Sequence, residues 1–300
     1  MQTIEELKKQ FAIDGAVDIA AGPGGVIFIR LKGTRSEALI DLDGGQVLSW
    51  GLHGEKPVVW LSETATFQPG KSARGGIPVC WPWFGAHPED KTKSAHGFAR
   101  NLMWQISGSA IDPDGAPQIK IRLQDNDQTR ALWPYAFTLE MTVTAGDALL
   151  IEMATTNNDD KPFTITEALH TYFAIGDIHQ ATVSGLDMAR YWDKTENFAQ
   201  HTQSGAVKFE KETDRVYQSE NETTIEDPVW NRRIRISKSG SASTVVWNPW
   251  IDISRKMEGM GETAWQNMLC VETANAMEDG VRVQPGGSHV LMARISVEDR

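Results

Sequence analysis

The sequence predicts an all-β protein, built as one large antiparallel β-sandwich, and three observations carry that expectation. Short apolar runs recur along nearly the whole chain, separated by glycine, charge and turn residues. Within several runs apolar residues alternate with polar ones, as they do on a sheet with one buried face. No linker, change of composition or fixed-period repeat divides the 300 residues. A single sandwich is therefore favoured over a barrel or an α/β arrangement.

The elements follow in order. Thr3 and Glu6 have capping-box spacing, which predicts a helix over residues 4–11. Residues 1–20 are read as this helix and a lead-in, and residues 21–300 as one β-sandwich domain. GGVIFIRL, SEALIDL and GQVLSW open a meander, which Val58 to Leu61 continues. Ile119, Ile121 and Leu123 alternate on one face of the next strand. Phe137, Leu139, Met141 and Val143 then run into the turn Ala145-Gly146-Asp147 and return through Leu149, Ile151 and Met153, the strongest hairpin pattern in the chain. PFTITEALHTYFAI, QATVSGL and ARYWDK read as further strands, and residues 194–223 as loops with edge strands. Strands follow at 232–237 and 244–247, then a loop with one helical turn in NPWIDISRKMEGMG. NMLCVETANA and residues 281–283 and 289–297 complete the set. Alternation sets Met268, Cys270 and Glu272 on one side of their strand, with Leu269 and Val271 on the other. Glu272 is thus expected to face a cleft while its neighbours fill the core.

The densest chemistry lies between Arg74 and Trp104. Gly75 and Gly76 suit positive φ or close backbone approach. Pro78 and Pro82 remove amide donors, so no central strand runs through. Trp81, Trp83 and Phe84 offer flat apolar faces suited to the C–H face of a sugar ring, and the arginines offer planar forks for an anion. The plainer alternative is a proline-broken loop with buried aromatics.

The formal net charge is −11. With no basic stripe, this disfavours nucleic acid, whose binding needs phosphate neutralisation. It leaves room for a small anionic ligand, because charges more than roughly 8 Å apart are screened. Cys80 and Cys270, the two cysteines, lack metal-type spacing and are expected to be buried free thiols. The charged start MQTIEELKKQF lacks an apolar signal core. No run approaches the roughly 18 apolar residues of a membrane span. A cytoplasmic, monomeric protein without membrane or nucleic-acid partners is expected. Gly-x-Ser-x-Gly, Walker and His-Glu-x-x-His patterns are all absent from the sequence.

What remains is a scattered set of polar residues: Arg74, His96, Arg100, His170, Asp214 and Glu272. Each has a structural alternative. His170, in an apolar run, suits a satisfied core histidine. Asp214 suits a pair with Arg215 or a solvated position. His87 and His96 suit a surface loop. Glu272 in MLCVETA is costly unless paired or used.

RGGIPVCWPWFG, HGFARNLMW, EALHTYF, TDRVY, WNPWIDISRKMEGMG and MLCVETA occur in that order. Together they resemble the hexose-6-phosphate mutarotases, or glucose-6-phosphate 1-epimerases, a branch of the aldose 1-epimerase superfamily. The resemblance covers residues 25–297. It implies a galactose-mutarotase-like antiparallel supersandwich with its site in a concave face. It also implies interconversion of the anomers of D-glucose 6-phosphate and related hexose phosphates, with no cofactor or metal. His170 and Glu272 then match the catalytic histidine and glutamate. Arg74 and Arg100 match substrate-holding arginines, Asp214 a substrate-binding aspartate, and His96 the histidine of the His-Gly motif. The chain departs where some members carry glutamine before that motif and this one has Ala95: either a hydrogen bond to substrate is missing, or Ser94 or Lys93 replaces it, which bears on substrate preference and not on the reaction class.

The chemistry suits these residues. Opening a hemiacetal needs a base for the O1 proton and an acid for the ring oxygen, expected on opposite sides of the anomeric carbon. Two other readings stay open beside this one: a glycosidase using Glu272 with Asp214, and a sugar-phosphate sensor without turnover. An epimerase of free aldoses is a nearer alternative.

Overall fold

The computed structural model describes residues 2–300 and is dominated by antiparallel sheets. The helix Ile4–Phe11 carries the expected box between Thr3 and Glu6, and it buries Leu7 and Phe11 in the main core. The strand Val17–Ala21 crosses the boundary expected at residue 20 and pairs with Ile27–Lys32. These two continue through Ser36–Asp41 and Gln46–Leu52 as a four-stranded meander.

Two eight-stranded sheets form the body. The backing sheet runs in the order Thr182–Ser184, Thr223–Asp227, Arg232–Ser239, Ser288–Asp299, Ala148–Asn157, Phe137–Ala145, Pro117–Gln124, Gln105–Ile111. The hairpin expected at Gly146-Asp147 is present, paired from Phe137↔Asn157 to Ala145↔Leu149. The site sheet runs Ala199–Thr202, Arg190–Asp193, Thr213–Gln218, Ser243–Asn248, Met268–Asn275, Glu167–Leu169, Val79–Cys80, with Tyr172–Ala174 also on Met268–Asn275.

The site sheet uses its two faces differently, and the alternation of the Met268–Asn275 strand shows how. Leu269 and Val271 join the main core, together with Ile151 and Leu291 of the backing sheet. Met268 and Cys270 join a separate small cluster with Tyr172 and Met260. Cys80, Ala168, Val216, Val245 and Ala274 form another small cluster. One face is thus sealed by the sandwich, while the other carries small apolar patches around a hollow. Cys80 and Cys270 are buried and unbridged, as expected.

Three readings of local structure change. Residues 213–218 form an interior strand, not loop or edge, between Arg190–Asp193 and Ser243–Asn248. Their polar texture arises because part of that strand faces the hollow. PFTITEALHTYFAI is not one strand but three short ones, Phe163–Ile165, Glu167–Leu169 and Tyr172–Ala174. The single turn expected after Asn248 is a helix over Trp250–Lys256, with the Asn248 side chain accepting from the Trp250 amide and basic residues in its last turn. A further short helix, Asp127–Leu132, is capped by Asn126 and Thr129. Among the described residues no helix is long and apolar enough to cross a membrane.

Candidate active site

The hollow is an open cleft of about 410 Å³. Arg74, His96, Arg100, His170, Asp214 and Glu272 all line it. Strand register accounts for its centre. Leu169 pairs with Thr273, and Tyr172 pairs with Cys270. Continuing that register across the gap sets His170 opposite Glu272, and the His170 amide donates to the Pro78 carbonyl at 3.1 Å. His170 Nε2 stands 3.4 Å from Glu272 Oε1. Nothing the size of a pyranose fits between them, so the two do not flank a ring from opposite sides as expected. Both meet the cleft from one side.

The Arg74 backbone is held by the buried Gln46 side chain. Its Nε2 donates to the carbonyls of Ala73 and Gly75, and its Oε1 accepts from Ser72 Oγ and the Ala73 amide. Gly75 and Gly76 take φ of 104° and 66°, and a Cβ on either would strike the backbone of residue 60 or 47. The glycines expected to permit close approach do so. Arg74 reaches the Glu258 carbonyl and the Tyr172 hydroxyl. Arg100 donates from Nη2 to the Ala95 carbonyl at 2.8 Å.

Burial sets the protonation states. It holds His170 well below the usual imidazole range, with His96 and Arg100 adding repulsion. It pushes Glu272 well above the usual carboxylate range; Lys194 opposes this and Asp214 adds to it. Their short contact would suit an ion pair, yet burial favours the uncharged form of each. The two forms of the pair hold the same single proton and differ only in where it resides. His96 falls to about 3, chiefly through burial. Its Nδ1 accepts from the Gly85 amide, so its proton is on Nε2. Burial also raises Asp214, against the opposing Lys194.

Four buried polar atoms in this cleft have no partner: Arg100 Nε, His170 Nδ1, Asp214 Oδ1 and Glu272 Oε2. Buried polar groups normally have partners, so this grouping marks a site that a polar ligand completes. Among the described residues no three His, Cys, Asp or Glu side chains are grouped as metal ligands would be.

The aldose 1-epimerase family matches residues 28–296. The chain belongs to the aldose 1-epimerase family. It is 35% identical over 280 residues to a Cenchrus ciliaris protein named "putative glucose-6-phosphate 1-epimerase", covering 90% of this chain and 84% of that one. An Escherichia coli protein of the same name is 36% identical over 244 residues, 81% of each. Among solved structures, one of a "putative mutarotase" from Salmonella typhimurium superposes with TM-score 0.90 at 31% identity over 100% of both chains. The galactose 1-epimerase of Lactobacillus acidophilus, at 11% identity and TM-score 0.72 over 94% of this chain and 98% of that one, shares the fold. This aldose 1-epimerase is an isomerase, a mutarotase, on the galactose-mutarotase-like fold.

Several expectations change at the side-chain level. Trp81 and Trp83 are buried and do not line the cleft; Phe84, Tyr172 and Trp247 do. Trp81 lies within an aromatic cluster with Phe98, Trp133 and Phe137. Asp214 pairs not with Arg215 but with Lys194, Nζ to Oδ2 at 2.7 Å, while Arg215 takes Asp193 at 3.1 Å. Residues next in sequence on a strand point to opposite faces, which separates Asp214 from Arg215. His170 is no satisfied core histidine, since its Nδ1 is unpartnered. Ser94 and Lys93 do not replace the glutamine absent at Ala95. Ser94 Oγ donates to Gly97 and Lys93 Nζ to Leu132, and neither side chain lines the cleft. His87 lies outside it, as a surface-loop residue would.

Lys194 is the charged lining residue the sequence reading missed, along with Lys71 and the aromatic Tyr172 and Trp247. Lys194 directly follows the strand Arg190–Asp193, whose burial does not alternate, so no periodicity pointed it toward the cleft.

Proposed function

We propose that this mutarotase interconverts the α and β anomers of D-glucose 6-phosphate and related hexose 6-phosphates. One observation carries the phosphate. The chain has net charge −11, yet Arg74 and Arg100 both line the cleft with no carboxylate partner among the described residues, while Lys194 is taken by Asp214 and Lys71 by Glu258. A phosphate brings about −1.5 to −2 charges and three acceptor oxygens, which Arg forks match in geometry. The names of the relatives from Cenchrus ciliaris and Escherichia coli accord with this substrate.

In the reaction, His170 and Glu272 exchange two protons with O1 and the ring oxygen. These oxygens share the anomeric carbon, so two groups in contact can each reach one from the same side. As one member takes the O1 proton, the C1–O bond to the ring oxygen breaks, and the ring oxygen takes the proton of the other. The open aldehyde turns about C1–C2, and closure reverses both transfers onto the opposite face. Glu272 serves as the base in its ionised form with His170 protonated. The uncharged pair that burial favours carries the same proton and reaches that form when the sugar's polar oxygens replace lost solvation. Trp247, Tyr172 and Phe84 give the ring apolar surface. His96 offers an Nε2 donor, and Arg74 and Arg100 position the phosphate.

Equilibration of pure α-glucose 6-phosphate, followed by polarimetry or by a dehydrogenase specific for the β anomer, tests the proposal. Acceleration exceeding that of free glucose is expected. No acceleration for any hexose phosphate ends the reading, and equal acceleration of free glucose removes its phosphate part.

A further inference from the structure

We infer that Lys194 is a specificity-determining residue of the cleft, acting with Asp214 as a donor–acceptor pair that reads two adjacent ring hydroxyls on the sugar edge remote from the phosphate. The inference rests on the hexose 6-phosphate reading and deepens it.

Lys194 is not a loose surface lysine. Its side chain is 28% exposed and its Nζ lies 2.7 Å from Asp214 Oδ2. It begins a short turn, Lys194–Glu196, capped by Asp193, whose Oδ1 accepts from the Thr195 amide and hydroxyl. Arg215 holds the other Asp193 oxygen. Asn197 and Phe198 both take positive φ, and the Phe198 amide closes on the Asp193 carbonyl at 2.9 Å. Strained backbone of this kind persists where its surroundings fix it.

The pair is left half used. Asp214 Oδ1 is buried with no partner, and an ammonium has three N–H donors. A carboxylate oxygen beside an ammonium suits two neighbouring hydroxyls, because each hydroxyl both donates and accepts.

Strand order tells which hydroxyls. Asp214 faces Trp247, Trp247 faces Cys270, and Cys270 faces Tyr172, one register row across four strands. Lys194 and Asp214 stand at one end of that row. Arg74 reaches Tyr172 at the other end. The segment bearing Arg100 lies beyond the same edge, where Gly97 bridges Trp81 next to Val79–Cys80. His170 and Glu272 lie between. With C1 and the ring oxygen at the catalytic pair and C6 toward Arg74 and Arg100, the ring edge bearing C2 and C3 turns to Lys194 and Asp214. A site built to bond a hydroxyl discriminates strongly against a sugar lacking it, because its desolvated groups go unpaired.

The test crosses Lys194→Met with the 2-deoxy and 3-deoxy forms of glucose 6-phosphate and of glucose, reading both kcat/KM and calorimetric Kd. On the parent sugar the variant should lose about 10- to 100-fold. On the analogue lacking the hydroxyl that Lys194 reads, it should lose little more than wild type already has, and Lys194→Arg should recover part of the loss. An equal loss on every sugar, deoxy forms included, overturns the inference, as does no loss. A loss confined to phosphorylated sugars makes Lys194 a phosphate ligand and also overturns it. If wild type shows no preference for phosphorylated sugars, the parent reading fails, and the unphosphorylated series still decides the role of Lys194.

Discussion

His170, in the gap between the strands Glu167–Leu169 and Tyr172–Ala174, stands opposite Glu272 in their shared register, and the two side chains meet at 3.4 Å on the face of the site sheet that the main core does not fill. The segments on either side of His170 both pair with the strand that carries Glu272, so the two positions are held in one register. The contact is therefore fixed by backbone register rather than by a flexible loop, and that is the rigidity a proton-transfer pair needs. Each residue also keeps one buried atom without a partner, Nδ1 and Oε2 respectively. An arrangement made for stability would have satisfied them.

Glu272→Gln removes the exchangeable carboxyl proton with little change of shape. We expect kcat to fall by about 10²–10⁴ while circular dichroism and melting temperature show an intact fold. His170→Ala should fall similarly. Polarimetry on either variant at the wild-type rate would remove the pair from the mechanism.

The same substitution has a pH-dependent effect on stability. Glu272 has a raised pKa in the folded protein, so above about pH 4.5 the folded state holds more protons at this site than the unfolded chain. Stability at this site therefore falls as pH rises from there through the folded pKa. Gln escapes that penalty. The melting temperature of Glu272→Gln relative to wild type should climb between pH 5 and 8, and a flat or falling difference would contradict a buried, raised carboxyl.

The activity profile carries a second sign. His170 is held below the ordinary value of 6.5 and Glu272 above its 4.5. The pair keeps its one shared proton until pH drops below the lowered His170 value or rises past the raised Glu272 value. The acid limb of kcat/KM for free glucose, which has no titrating phosphate, should lie well below pH 6.5. A limb at an unperturbed histidine value would show His170 solvated in the working enzyme.

Arg100→Ala tests the anion reading. Arg100 is fixed by Ala95 and has a spare Nε. Losing a positioning charge should raise KM for glucose 6-phosphate more than it lowers kcat. Losing one charge-assisted fork should cost about tenfold or more in kcat/KM, with free glucose little affected. Equal losses on both sugars would place Arg100 elsewhere in the mechanism.

The sandwich was legible because alternation reports burial on one face, and Leu269, Val271 and the residues 137–153 hairpin have that pattern. The same alternation aimed Glu272 at the cleft. It failed at residues 213–218, where a strand facing a polar site reads as loop. It also failed at Trp81 and Trp83, because aromatic residues suit a sugar wall and a core equally, and only packing chooses. Lys194 was hidden for another reason: its partner Asp214 lies 20 residues away in sequence, and no local spacing encodes a contact made by strand order. The six residues named from ordered motifs do share one cleft, a juxtaposition that periodicity alone would not have given.

Arg232 supports the site from behind. It is buried with Asp227, Nε to Oδ2 at 3.4 Å, and donates to the carbonyls of Lys56, Pro57 and Ala174. Ala174 ends the strand that begins two residues after His170. Arg232→Met would leave Asp227 buried without its cation and the buried Ala174 carbonyl without this donor. Breaking such a pair costs about 3–5 kcal/mol, which urea unfolding should register as a lower midpoint. Replacing both members, Arg232→Met with Asp227→Leu, removes the orphaned charge and should cost less than the two single changes summed. Additive losses would mean that Arg232 acts through its carbonyl bonds alone, with the ion pair contributing nothing.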